Sequence, residues 1–139
     1  MIILDTNVIS EAMSPAPNSN VSRWLSGQLT SQVFTTAISL AEILYGIEPL
    51  PTGKRRSGLF VTAESMFAKL FAGRILTFDG PAARAFAPIA VNRRSSGRPI
   101  TLFDAEIAAI TQANGAVLAT RNTVDFEGCG VRLVNPWLD

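Results

Sequence analysis

Short apolar runs alternate with longer segments of helical period along the whole chain, and few folds accommodate that alternation. The pattern is set at once. Met1-Ile2-Ile3-Leu4 is a continuous apolar run that ends abruptly in Asp5-Thr6-Asn7. So short an apolar run, opening a mixed α/β pattern, reads as a strand buried on both faces. Its polar end then lies at the carboxyl end of the strand, the edge where open α/β sheets bind ligands.

Further strands are expected over 32–36, 74–78, 116–120 and 131–134. Between them lie helices. One spans Asn7 to Met13 and is stopped by Ser14-Pro15-Ala16-Pro17. A second follows the capping sequence Asn18-Ser19-Asn20, with Val21, Trp24, Leu25 and Leu29 as its apolar stripe. Ser39 opens a third, in which Leu40, Ile43, Leu44 and Ile47 share a face, and Ser39-Leu40-Ala41-Glu42 fits a capping box. The loop Pro49-Leu50-Pro51-Thr52-Gly53 and the basic Lys54-Arg55-Arg56 separate it from a helix over 59–71. Phe60, Ala63, Phe67, Leu70 and Phe71 form the broad face of that helix, either as core or as a groove for a partner. Another helix begins at Asp79 and Pro81 and runs towards Asn92. Arg93 to Pro99 reads as a basic connection. Thr101-Leu102-Phe103-Asp104 caps a last helix, which Asn114-Gly115 ends. The expected fold is a three-layer α/β/α sandwich around a mostly parallel sheet of about five strands. At 139 residues this is one domain, 1–139.

Composition removes several chemistries. The chain has no histidine, which excludes Ser-His-Asp and Cys-His nucleophile systems and His-ligated zinc. Its one cysteine, Cys129, forms no intrachain disulfide and suits a reducing compartment. No apolar stretch approaches the ~20 residues of a spanning helix, and the N-terminus lacks a leader pattern. A cytoplasmic protein with no membrane partner is expected. The net charge of +1 leaves nucleic-acid binding open, since distribution matters more than sum.

Polar clusters recur where strands end or helices begin: Asp5 and Asn7, Glu42, Asp104, then Asn122 and Asp125. Right-handed crossovers bring strand ends to one rim. Asp104 belongs there only if its helix also begins on that rim. Each acidic residue has two readings. At a helix start it caps free N–H groups and complements the helix dipole. As one of several on a rim it repels its neighbours unless a cation lies between them. Hard oxygen ligands select Mg²⁺ or Mn²⁺, ions that lower the pKa of a water and stabilise phosphodiester chemistry. Asp5 is the strongest candidate, because a carboxylate after a buried apolar run needs a partner. The basic residues of 54–56 and Arg93, Arg94 and Arg98 are either solvated or flank an acidic cleft that takes a nucleic-acid backbone. Arg121 is the better candidate for a phosphate contact.

The ordered set Ile3-Leu4-Asp5-Thr6-Asn7, Ser39-Leu40-Ala41-Glu42, Phe103-Asp104-Ala105-Glu106-Ile107-Ala108-Ala109, Ala119-Thr120-Arg121-Asn122-Thr123-Val124-Asp125-Phe126 and Asn135-Pro136-Trp137 resembles the PIN-domain ribonuclease toxins of the VapC/FitB type. The resemblance spans nearly the whole chain. It implies an Mg²⁺- or Mn²⁺-dependent endoribonuclease, the toxin of a type II toxin–antitoxin pair. It also implies neutralisation by a cognate antitoxin, operator DNA bound only through that antitoxin, and a homodimer. Carried over by position, Asp5, Glu42 and Asp104 match the family's acidic ligands. Thr6, Asn7 and Thr120 match the supporting polar residues. Where many PIN domains have an aspartate this chain has Asn122, and Asp125 is the substitute. Two other readings stand beside it: a non-catalytic RNA- or partner-binding module, and an aspartyl-phosphate phosphatase. The phosphatase lacks a carboxylate at position 7, and neither Lys54 nor Lys69 follows a strand. A dinucleotide-binding domain is disfavoured, since no Gly-rich turn follows the first strand.

Overall fold

The structure, a computed structural model, describes residues 1–139. Five parallel strands form one sheet: β1 (Ile2–Leu4), β2 (Val33–Thr36), β3 (Ile75–Leu76), β4 (Val117–Ala119) and β5 (Arg132–Val134). Their spatial order is β3-β2-β1-β4-β5, so the first strand is central. It pairs with β2 on one side and β4 on the other, with Ile3 opposite both Phe34 and Leu118. Central position explains the continuous apolar run, because neither face of β1 meets water.

Six α-helices cover the sheet: α1 (Thr6–Met13), α2 (Ser19–Ser26), α3 (Ala37–Ile47), α4 (Lys54–Ser65), α5 (Gly80–Ser95) and α6 (Leu102–Ala113). Side-chain alternation along each strand divides the core in two. Ile3 and Leu118 face one layer with Ile89, Ile107, Ile110 and Phe126. Leu4 and Ala119 face the other with Val8, Ile9, Ile43, Phe67 and Phe71. The expected α/β/α sandwich and its five strands are the observed ones, with a fully parallel sheet.

Several boundaries differ from the sequence reading, each for a physical reason. α3 begins at Ala37 and not Ser39, because the Thr36 hydroxyl accepts from the Ser39 amide and caps the helix two residues earlier. α4 begins at Lys54, so the three basic residues form its first turn instead of a loop. A wide π turn over Met66–Leu70 follows it. α5 runs on to Ser95 and takes Arg93 and Arg94 into its last turn, where cations favour the helix dipole. β3 shrinks to two residues at the sheet edge.

Strand order fixes where a site can form. The chain leaves β1 for β2 on one side and later returns to place β4 on the other. The crevice between the carboxyl ends of β1 and β4 is thus the topological switch point. No helix is long and apolar enough to cross a membrane.

Candidate active site

A cleft of about 570 Å³ opens at that switch point. Asp5, Glu42, Asp104, Asn7, Arg121 and Asn122 line it, together with Thr6. Asp5 follows β1 directly, and Thr120 to Asn122 follow β4. Glu42 projects from the second turn of α3, and Asp104 from the first turn of α6. The start of α6 therefore does reach the rim.

Asp5 is 5% exposed and held by three donors. Its Oδ1 accepts from the Thr6 amide at 2.8 Å, which also caps α1. Its Oδ2 accepts from the Thr120 hydroxyl at 2.7 Å and from Asn7 Nδ2 at 3.1 Å. Thr120 is itself fixed, since its oxygen accepts from the Asn122 amide. Burial pushes the Asp5 carboxyl up to about 6. The Thr120 and Thr6 hydrogen bonds oppose that rise, and the charges of Asp104 and Glu42 add to it.

Glu42 is not a cap. Its Oε1 accepts from the Thr6 hydroxyl at 2.9 Å, and Ser39 Oγ lies 3.0 Å from the same hydroxyl. Burial raises its pKa, the Thr6 hydrogen bond resists, and Asp104 raises it again. Asp104 is also raised, first by burial. Hydrogen bonding to Thr101 opposes this, Asp125 adds to it, and the Arg93 cation opposes it. Three carboxyls thus share one polar cleft, each disfavoured as an anion by burial and by at least one neighbour. Such a cluster accommodates a cation.

The remaining residues of the sequence reading divide. Thr6, Asn7 and Thr120 orient Asp5 and Glu42, as described. Asn7 also bridges to the far side, because its Oδ1 accepts from the Arg121 amide at 3.1 Å. Asn122 lines the cleft. Asp125 sits on a short 3₁₀ turn over Thr123–Phe126 and does not line the cleft, although its charge reaches Asp104. Arg93 and Arg98 are not cleft-flanking groups. Arg93 is buried and donates from Nε to the Arg98 carbonyl and from Nη1 to the carbonyls of Asp125 and Glu127. Arg98 pairs with Glu127 at 3.0 Å. Both clamp the segment after β4.

Ser10, Glu11, Ser14 and Trp137 also line the cleft, and the sequence reading assigned them no role there. The signal for three of them was present. Asn7, Ser10, Glu11 and Ser14 recur at helical spacing and make one polar stripe along α1.

The polar side chains of the lining are oxygen donors apart from the side-chain amides, Arg121 and the Trp137 indole. No three acidic groups converge tightly enough to enclose an ion by themselves. Mg²⁺ keeps several waters and takes one or two carboxylates directly, so it does not require three converging acidic groups.

The pattern of the PIN domain matches residues 2–127. The chain is 40% identical to the toxin FitB of Neisseria gonorrhoeae over 139 residues, all of both chains. It is 39% identical to the VapC ribonuclease Y4jK of Sinorhizobium fredii over 137 residues, 99% of this chain and 98% of that one. Among solved structures it is similar to that of FitAB bound to an IR36 DNA fragment. The TM-score is 0.91 at 40% identity, covering 99% of this chain and 96% of the other.

Proposed function

Because the chain belongs to the PIN-domain family, in the branch of the VapC and FitB toxins, we propose that it is an endoribonuclease that depends on Mg²⁺ or Mn²⁺. In this reading it is the toxin of a type II toxin–antitoxin pair and hydrolyses RNA phosphodiesters. The observation that carries the reading is the sharing of one cleft by Asp5, Glu42 and Asp104, with the pKa of each raised. Full-length likeness to a named ribonuclease supports it.

Asp5, Glu42 and Asp104 would hold the ion, with Asn122 lining the cleft beside them and Asp125 acting on Asp104 through its charge. When bound, a divalent ion supplies Lewis-acid charge and lowers the pKa of a water. The protein's own groups prepare for it. Three donors fix the Asp5 carboxylate in one orientation, so little reorganisation is needed on binding. Thr6 does the same for Glu42. The cluster releases protons as it takes up a cation, since its carboxyls carry raised pKa values. Arg121, exposed at the rim, receives the RNA backbone.

The solved relative pairs as FitAB on DNA. By that likeness the partner of this chain is a cognate antitoxin that itself contacts operator DNA. A homodimer acting in the cytoplasm completes the reading.

The test is cleavage of a labelled RNA by the purified protein, with Mg²⁺ titrated against chelator, for wild type and Asp104→Asn. Metal-dependent cleavage that falls at least a hundredfold in the variant is expected. Binding of RNA without metal-dependent cleavage would instead identify a non-catalytic RNA- or partner-binding module.

A further inference from the structure

Arg121 sits in an acidic cleft yet pairs with no carboxylate. The two ion pairs of the protein are Arg56 with Glu48 and Arg98 with Glu127. None of its guanidinium N–H groups donates a hydrogen bond within the protein; only its backbone is engaged, the amide donating to Asn7 Oδ1 and the carbonyl accepting from Asn135 Nδ2. What holds the side chain is an aromatic ring. The guanidinium carbon lies 5.1 Å from the centroid of Trp137.

Trp137 is built in from several directions. It packs against the core layer of Leu4 and Phe71. Its amide donates to Asn135 Oδ1, and its carbonyl accepts from Asn20 Nδ2 of α2 at 2.8 Å. Asn135 is fixed in turn by Asp139. The indole is the only apolar side chain lining the acidic cleft. One aromatic ring, on a backbone held at both its amide and its carbonyl, therefore carries one cation. The outer face of that cation is exposed.

Exposed guanidinium planes stack on nucleobases, as aromatic rings do, and this is how unpaired bases of single-stranded RNA are usually gripped. We propose that Arg121, seated on Trp137, is a stacking platform for an unpaired nucleobase next to the phosphate that is cleaved. The proposal rests on the ribonuclease reading and adds a base subsite to it. Asn7 joins the platform to the metal-binding end of the cleft, since it touches both Asp5 and the Arg121 amide. A base suits this platform because a flat ring covers the open guanidinium face as the Trp137 indole covers the other.

The probe is a short single-stranded RNA carrying 2-aminopurine, whose fluorescence falls on stacking. Binding is measured in chelator, so that no cleavage intervenes, and cleavage of the same strand is measured with Mn²⁺. Arg121→Lys keeps the charge and loses the plane. It should weaken binding about 5- to 100-fold and abolish the quenching, with the loss appearing in KM more than in kcat. Trp137→Phe should retain most of the quenching and Trp137→Leu little. Equal melting temperatures for wild type and Arg121→Lys keep the comparison free of folding effects. Unchanged quenching and unchanged KM in Arg121→Lys would overturn the platform while leaving the ribonuclease intact. Absence of metal-dependent cleavage in wild type would overturn the ribonuclease reading itself. A variant that binds the strand normally but no longer binds a protein partner would also overturn the platform, and would reassign the surface to that partner.

Discussion

Replacing Asp5 by Asn should make the metal-free protein more stable at neutral pH. Burial raises the Asp5 carboxyl from 3.8 to about 6 in the folded state. Between those values the folded protein binds more protons than the unfolded chain, so stability falls as pH rises through that window and the cost is complete above it. A shift of this size corresponds to roughly 3 kcal/mol. Asparagine cannot ionise and escapes that cost. It retains an oxygen for the Thr6 amide, but the Thr120 oxygen already accepts from Asn7 Nδ2 and the Asn122 amide, so the Thr120 hydroxyl loses its acceptor. It also loses the contact with Asn7 Nδ2, and the two losses together cost about 2 kcal/mol. The net gain is about 1 kcal/mol at pH 7.5. It should turn into a net loss of about 2 kcal/mol near pH 3, where the wild-type carboxyl is mostly protonated in both states and only the lost hydrogen bonds remain. Urea unfolding in chelator at the two pH values measures both numbers. An Asp5→Asn protein no more stable than wild type at pH 7.5 would refute the claim that Asp5 is strained as an anion. Added Mg²⁺ should then stabilise wild type and leave the variant unmoved, through linkage of binding to folding.

Two further outcomes follow from the same geometry. Thr120→Val removes the strongest hydrogen bond opposing the rise of the Asp5 pKa, so a carboxyl-carbon NMR titration should find Asp5 above about 6; an unmoved value would mean that Thr120 does not donate to it. Arg93→Met should cost about 3 kcal/mol in urea unfolding, because the carbonyls of Arg98, Asp125 and Glu127 lose a buried donor. A cost below about 1 kcal/mol would show those carbonyls to be hydrated.

Local chemistry made some of this molecule readable in advance and hid the rest. The run Ile2–Leu4 announced a central strand because burial on both faces leaves no polar position, and Asp5 stood out as a carboxylate directly after that buried run. Asp104 was harder. Its place on the rim depends on where the loop before α6 returns, which the 3.6-residue period does not encode. Thr36 and Ser39 are both capping residues with suitable spacing, and only the end of β2 decides between them. The basic start of α4 runs against the helix dipole, so tertiary packing of Ala63, Phe67 and Phe71 outweighs the end effect. Arg93 looks like any surface arginine in sequence. Its burial follows from three carbonyls that converge on it from the segment after β4 and the end of α5. Glu11 is legible only once it is known which face of α1 meets the carboxyl end of β1, and helical period alone does not say.

The chemistry at Asp5, Glu42 and Asp104 is tested most directly by the ends of the RNA that the protein makes. Cleavage of a defined oligoribonucleotide in Mg²⁺ should stop in chelator and in Asp5→Asn, and should leave 5′-phosphate and 3′-hydroxyl ends, since the attacking oxygen comes from water. Cleavage that persists in chelator, or fragments ending in 2′,3′-cyclic phosphate, would contradict a metal-dependent hydrolytic site.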